Sequence, residues 1–315
     1  MNPNASSCLH FTKRISTLKL ILRDGIRHSY AFEEFPIDVI QNFINETSQA
    51  VSLMKPLYSN SDYGMAIPMV SFCDIPITRA SKHSKDYGKY VIGLDKSFLL
   101  KYFKHLFNPV IYVNCEELKE AVTFFSSERI RTMDRALEFL AKNPECLDSK
   151  IFSSEQSARS IIESMPETFQ KEQEQRINET FYSNILLALY KPVRGKDTYG
   201  NDRMFYDERE WRSFIPNLED QHGWLKACTR EQFLEQRGTL NKQIETFHHA
   251  YIKIPLNCLD AITHIIVKNE YQRENLINYI LNLRKLFGYH VDRYETKKLK
   301  LISKIMSFEQ IEKDY

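Results

Sequence analysis

The chain has 315 residues, 43% hydrophobic and 27% charged, which excludes a fibrous repeat or a wholly disordered chain and suffices for a sizeable core. Its 43 basic and 41 acidic residues leave a net charge of +2, which excludes a general polyanion-coating surface but leaves room for a local basic cleft. Six scattered cysteines with no CxxC pair argue against both a zinc site and a disulfide framework, and fit reduced thiols in a cytoplasmic protein.

The opening MNPNASSCLHFTKR has no apolar run of signal-peptide length, and no later segment reaches the roughly 20 apolar residues of a membrane helix, so no membrane association is expected. Residues 8–12 read as a short strand. A helix follows with Ser16 or Thr17 as N-cap, Leu18, Ile21 and Leu22 at helical spacing, and Gly25 as its stop. Residues 25–31 can run extended, 36–49 carry Ile37, Ile40 and Ile44 at helical spacing, and 56–63 read as a loop. From Pro68 the run MVSFCDI predicts a strand ended by Pro76, then a polar helix and a strand at 90–94. A helix at 97–107 and a strand at 110–113 are separated by Asn108-Pro109.

Residues 116–190 change character: Gly is absent and apolar positions recur at helical spacing, which predicts a helical insertion. Strand character returns at 204–215, 250–254 and 262–267, followed by a helix at 271–287 and a strand at 290–294. Residues 297–315 place Leu299, Ile302, Ile305 and Met306 on roughly one helical face, which suits core packing. No repeat or long linker divides the chain. The expected architecture is a single α+β domain over 1–315, with a mixed, split β-sheet core interrupted by the insertion.

The sequence has no GxxxxGK[ST], GxGxxG, HExxH or GxSxG, and the adjacent His248 and His249 would point to opposite faces of a strand, so no metal site is expected. The informative run is FYDEREWRSFIP at 205–216. On a strand, Glu208, Glu210 and Arg212 alternate onto one face, where paired carboxylates beside a cation could hold a ribose hydroxyl or stabilise an oxocarbenium-like transition state. A solvated charge ladder is the alternative. His10 and Thr12 share a face of the first strand. The Ser71-Phe72-Cys73-Asp74 run could set an aromatic ring under a planar ligand, with Tyr87 and Tyr90 as further stacking candidates. The basic clusters Lys82, Lys85 and Lys89, and Arg284 with Lys285, are explained by solvated helix faces more simply than by nucleic acid.

In order along the chain, HFT, the SFCDIP segment and Glu-x-Glu resemble the layout of mono-ADP-ribosyltransferases. More closely, HFT with its helix and Gly, then SFCDIPIT, YGKYVIGL, NPVIYVN, ALYKP and FYDEREWR, resemble the AbiGi family of abortive phage-resistance proteins over roughly residues 8–267. The transferase resemblance implies NAD as cofactor, held by His10 and Thr12, with Phe72 or Tyr90 stacked on the nicotinamide and Ser71 and Arg212 also against it. It implies Glu210 as the catalytic residue, Glu208 assisting, and a macromolecular acceptor, protein or nucleic acid. The AbiGi resemblance, whose members are described as antitoxins, implies instead a non-catalytic partner of a cognate toxin. The enzymatic reading requires His10, Phe72 and Glu210 to line one cleft.

Overall fold

The computed structural model describes residues 6–34, 63–103, 107–114, 186, 188–196, 202–214, 226–247, 250–292 and 296–314. The helix expected at 36–49, nearly all of the loop at 56–63, most of the insertion at 116–190, and His248 and His249 lie outside the described residues.

The main sheet has nine strands: β1 (Ser7–Thr12), β2 (Ser29–Glu34), β3 (Tyr63–Cys73), β4 (Tyr90–Asp95), β5 (Phe107–Pro109), β6 (Glu210–Phe214), β7 (Lys226–Thr229), β8 (Ile262–Val267) and β9 (Ile305–Ser307). Its order is β9-β8-β4-β1-β3-β6-β5, all antiparallel except the parallel pair β8–β9. The α+β expectation with a mixed sheet therefore holds.

β3 organises this sheet. It spans 11 residues, and each of its edges serves two strands in succession. On one edge β2 covers residues 64–69 and β1 meets only Cys73; on the other, β7 covers 63–66 and β6 covers 69–73. Between β2 and β1 the Ser71 carbonyl has no strand partner, and His10 Nδ1–H donates to it at 2.9 Å.

Seven helices pack on the two faces: α1 (Ile15–Asp24), α2 (Ala80–Tyr87), α3 (Lys96–Tyr102), α4 (Arg230–Ile244), α5 (Glu270–Asn282), α6 (Thr296–Ile302) and α7 (Phe308–Asp314). α1 buries Leu18, Ile21 and Leu22 as their spacing requires, and Gly25 at φ 109 closes it by donating to the Ile21 carbonyl. Its N-cap is Arg14, not Ser16 or Thr17, because the Arg14 carbonyl already accepts from Thr17 and Leu18. α4 is a helix the hydrophobic pattern does not announce. The Thr229–Gln232 capping box at its start is the sequence signal that marks it.

Three further expectations are corrected. The Asn108-Pro109 break is itself the edge strand β5, where a proline's missing N–H is tolerated. The helix expected at 271–287 ends at Asn282, followed by the short pair Lys285–Leu286 and Tyr289–His290. The 297–315 segment is α6, β9 and α7, because a turn at Ser303 and Lys304 lets the Lys304 carbonyl accept from Ile265. Core packing of this segment holds: Leu301 and Ile305 enter the largest apolar cluster, Phe308 and Ile311 a second one.

The cores assign the faces. Cys8, Val70, Phe72, Tyr90, Ile92 and Leu94 point into the largest core with α1 and α5. Leu9, Cys73 and Val91 point the other way, towards α2 and α7, and Met65, Ile67, Met69 and Phe214 share that second face further along β3. Between these two apolar patches lies a polar seam.

Candidate functional site

The seam is a run of seven alternating charges. Asp86 Oδ2 meets Arg203 Nη1 at 2.8 Å, Arg203 Nε meets Glu208 Oε1 at 2.9 Å, and Glu208 Oε2 meets Lys191 Nζ at 2.8 Å. Lys191 Nζ also meets Glu210 Oε2 at 2.7 Å, Glu210 Oε1 meets Arg212 Nε at 2.9 Å, and Arg212 Nη2 meets Glu33 Oε2 at 3.1 Å. Four carboxylates and three cations thus alternate from α2 across to β2. The interior is sealed: the Glu208, Glu210 and Arg212 side chains are 2%, 6% and 0% exposed, whereas terminal Asp86 and Glu33 are 33% and 29% exposed.

Hydrogen bonds complete the run. Tyr87 Oη donates to Glu208 Oε1 at 2.7 Å, Arg212 Nη1 donates to the Ala188 carbonyl at 2.7 Å, and the Glu210 N–H donates to Tyr112 Oη at 2.7 Å. The Arg203 guanidinium lies 4.9 Å from the Tyr87 ring and the Lys191 ammonium 4.7 Å from the Phe205 ring.

Burial pushes the Glu210 carboxyl up, but the Arg212 and Lys191 cations outweigh it and hold the group well below the ordinary carboxylate range. Burial disfavours the Lys191 charge, yet Glu210 and Glu208 raise its pKa overall. The run is therefore fully ionised at neutral pH. A carboxylate in that state is a fixed charge rather than a proton donor, and both oxygens of Glu210 are already engaged by buried cations.

The sequence-selected residues divide between the two faces. Glu210 pairs with Cys73, and Arg212 with Ser71, in the β3–β6 register, so all four share the seam's face. His10, Thr12, Phe72 and Tyr90 share the opposite one: His10 pairs with Ile92, and Thr12 with Tyr90, in the β1–β4 register. Phe72 is fully buried, its ring 5.6 Å from His10 and 5.5 Å from Phe107, and Tyr90 lies in the same core. Thr12 Oγ1 donates to the Arg14 carbonyl at 3.4 Å. His10, Phe72 and Glu210 do not line one cleft, and this arrangement does not fit a dinucleotide held between them.

Glu208 also differs from expectation. It closes a 3-10 turn (Phe205–Glu208) rather than extending β6, and Arg209 takes a left-handed conformation at φ 45 between the two. Glu208 still meets Glu210, through Lys191 rather than along a strand. The sequence reading assigned no role to Lys191, Arg203, Asp86, Glu33 or Tyr112, although Lys191 lies within ALYKP. Their pairings span up to 177 positions, which local patterning does not register. Among the described residues no group of three or more His, Cys, Asp or Glu could hold a metal ion, and no helix is long and apolar enough to cross a membrane.

Acid is expected to destabilise this protein in two stages. Burial lowers the pKa of His10, His83 and His264 from an ordinary 6.5, so below that pH the unfolded chain takes up protons that the folded chain refuses, and stability falls. Glu210, depressed from 4.5, contributes stability that is present above that value and lost as pH drops further. Urea midpoints should be flat near pH 7–8, decline from about pH 6.5 and fall more steeply below about 4.5. A midpoint that rises between pH 7 and 5 would contradict this.

A family model described as "Putative abortive phage resistance protein AbiGi, antitoxin" matches residues 58–268. A relative, the abortive phage resistance protein AbiGi of Lactococcus lactis subsp. cremoris, is 26% identical over 262 residues, covering 79% of this chain and 89% of that protein. No solved structure matches the chain.

Proposed function

The chain belongs to the AbiGi family of abortive phage-resistance proteins and so has a phage-defence role, and from that premise we propose that it acts there as a non-catalytic, antitoxin-like binding partner of a toxin. The observation that carries this reading is the saturation of Glu210 by Lys191 and Arg212 on one face of the sheet while His10 and Phe72 pack on the other. A transferase of the kind the motif order suggests needs one carboxylate free to accept a ribose hydroxyl beside the groups that hold the nicotinamide. Here the carboxylates bind the fold together. The word antitoxin in the family description points the same way.

Two measurements test it together. Saturating NAD should leave the melting temperature unchanged, whereas a ligand held at a hundred times its dissociation constant would add about 2.7 kcal/mol. Co-expression with the cognate toxin should suppress toxicity, and Glu210→Gln, assayed at a temperature where it remains folded, should suppress it equally. An NAD-dependent rise in melting temperature, with nicotinamide release abolished by Glu210→Gln, would reinstate the enzymatic reading.

A further inference from the structure

The layer over the seam is built from short pieces. Strand Ile111–Val113 pairs in parallel with Tyr190–Pro192, Arg194–Lys196 pairs with Asp202–Met204, and the 3-10 turn Phe205–Glu208 leads back into β6. Each ladder is three residue pairs long, which gives little stability of its own. What fixes residues 188–196 and 202–208 to the sheet is a combination of Ala188 and Leu189 in the apolar patch of Met69 and Phe214, and the ion pairs of Lys191, Arg203 and Glu208.

The closed arrangement also carries unfavourable contributions. Arg209, at the junction with β6, holds φ 45, a conformation that a side chain disfavours; its carbonyl accepts from Asp74 N–H at 3.1 Å. His83 in α2 is 6% exposed, faces Glu208 and Arg203, and has an Nδ1 buried without a hydrogen-bond partner. A strained residue at one end, an unsatisfied polar atom beneath, and charge pairs as fasteners are the parts of a two-position element.

We propose that residues 188–196 and 202–208 form a strap that opens from the sheet as a unit about Arg209, with Lys191 and Arg203 as its fasteners, and that opening bares Glu210, Arg212 and Glu33 on the sheet face. The inference is independent of what the protein binds. Opening is a local event because the sheet beneath keeps its own core on the opposite face.

Hydrogen exchange of the full-length protein, read by mass spectrometry, tests it with two substitutions of opposite sign. Lys191→Met removes the central fastener and leaves two buried carboxylates short of a cation, so strap amides should exchange on the order of a hundredfold faster while those of β1, β4 and β8 are unchanged. Arg209→Gly relieves the left-handed residue, and the same strap amides should exchange a few times more slowly. Equal acceleration across strap and sheet in Lys191→Met, or faster strap exchange in Arg209→Gly, would overturn the proposal. If Lys191→Met fails to fold, the Arg209→Gly result decides alone.

Discussion

Replacing Arg212 by Ala is expected to lower the stability of the folded chain by about 3–5 kcal/mol, and the melting temperature by on the order of 10 °C. The guanidinium is fully buried and serves Glu210, Glu33 and the Ala188 carbonyl at once. Its removal leaves Glu210 with Lys191 as its one remaining ion-pair partner in the run, and leaves a carbonyl without its donor. Glu33 suffers less, because at 29% exposure it can be hydrated. The double replacement Glu210→Leu with Arg212→Met should be far milder than the sum of the single changes. One charge of each sign then leaves together, Lys191 keeps Glu208, and the vacated volume is filled by apolar atoms between two apolar patches. Denaturant titration of the four proteins gives the coupling directly. Additive single effects would mean that the run is not an electrostatic unit.

Phe72→Ala should be nearly as damaging, at about 3–5 kcal/mol, whereas Phe72→Leu should cost less than about 1.5 kcal/mol. The ring sits in the largest core, edge-on to Phe107, which in turn stacks on Trp211 at 4.9 Å. A ring whose purpose was to stack on a ligand would behave otherwise: Phe72→Ala would abolish binding and leave the unfolding midpoint in place. A Phe72→Ala protein with wild-type stability would show that the ring is not the packing element that its surroundings indicate.

The residues that drew attention in the sequence were legible one strand at a time. Alternation within β1 correctly puts His10 and Thr12 on one side, and alternation within β6 puts Glu210 and Arg212 on one side. It does not say whether those two sides are the same side of the sheet. That is decided by register, and a one-residue slip inverts every side chain of a strand. Here Leu9, not His10, aligns with Cys73, and Cys73 aligns with Glu210, so His10 and Glu210 face apart.

By itself, then, the sequence determined the α+β class, most strand and helix positions from β1 to β8, the Gly25 stop, and membership of a defence family. It did so because hydrophobic periodicity, capping residues and motif order are local properties. Only the tertiary structure decided that β3 carries two strands on each edge, that Arg209 breaks the strand expected through Glu208, and that Lys191 and Arg203 meet the carboxylates. Those facts depend on register and on chain segments distant in sequence arriving at one buried seam, where each charge is tolerable only because an opposite one lies beside it.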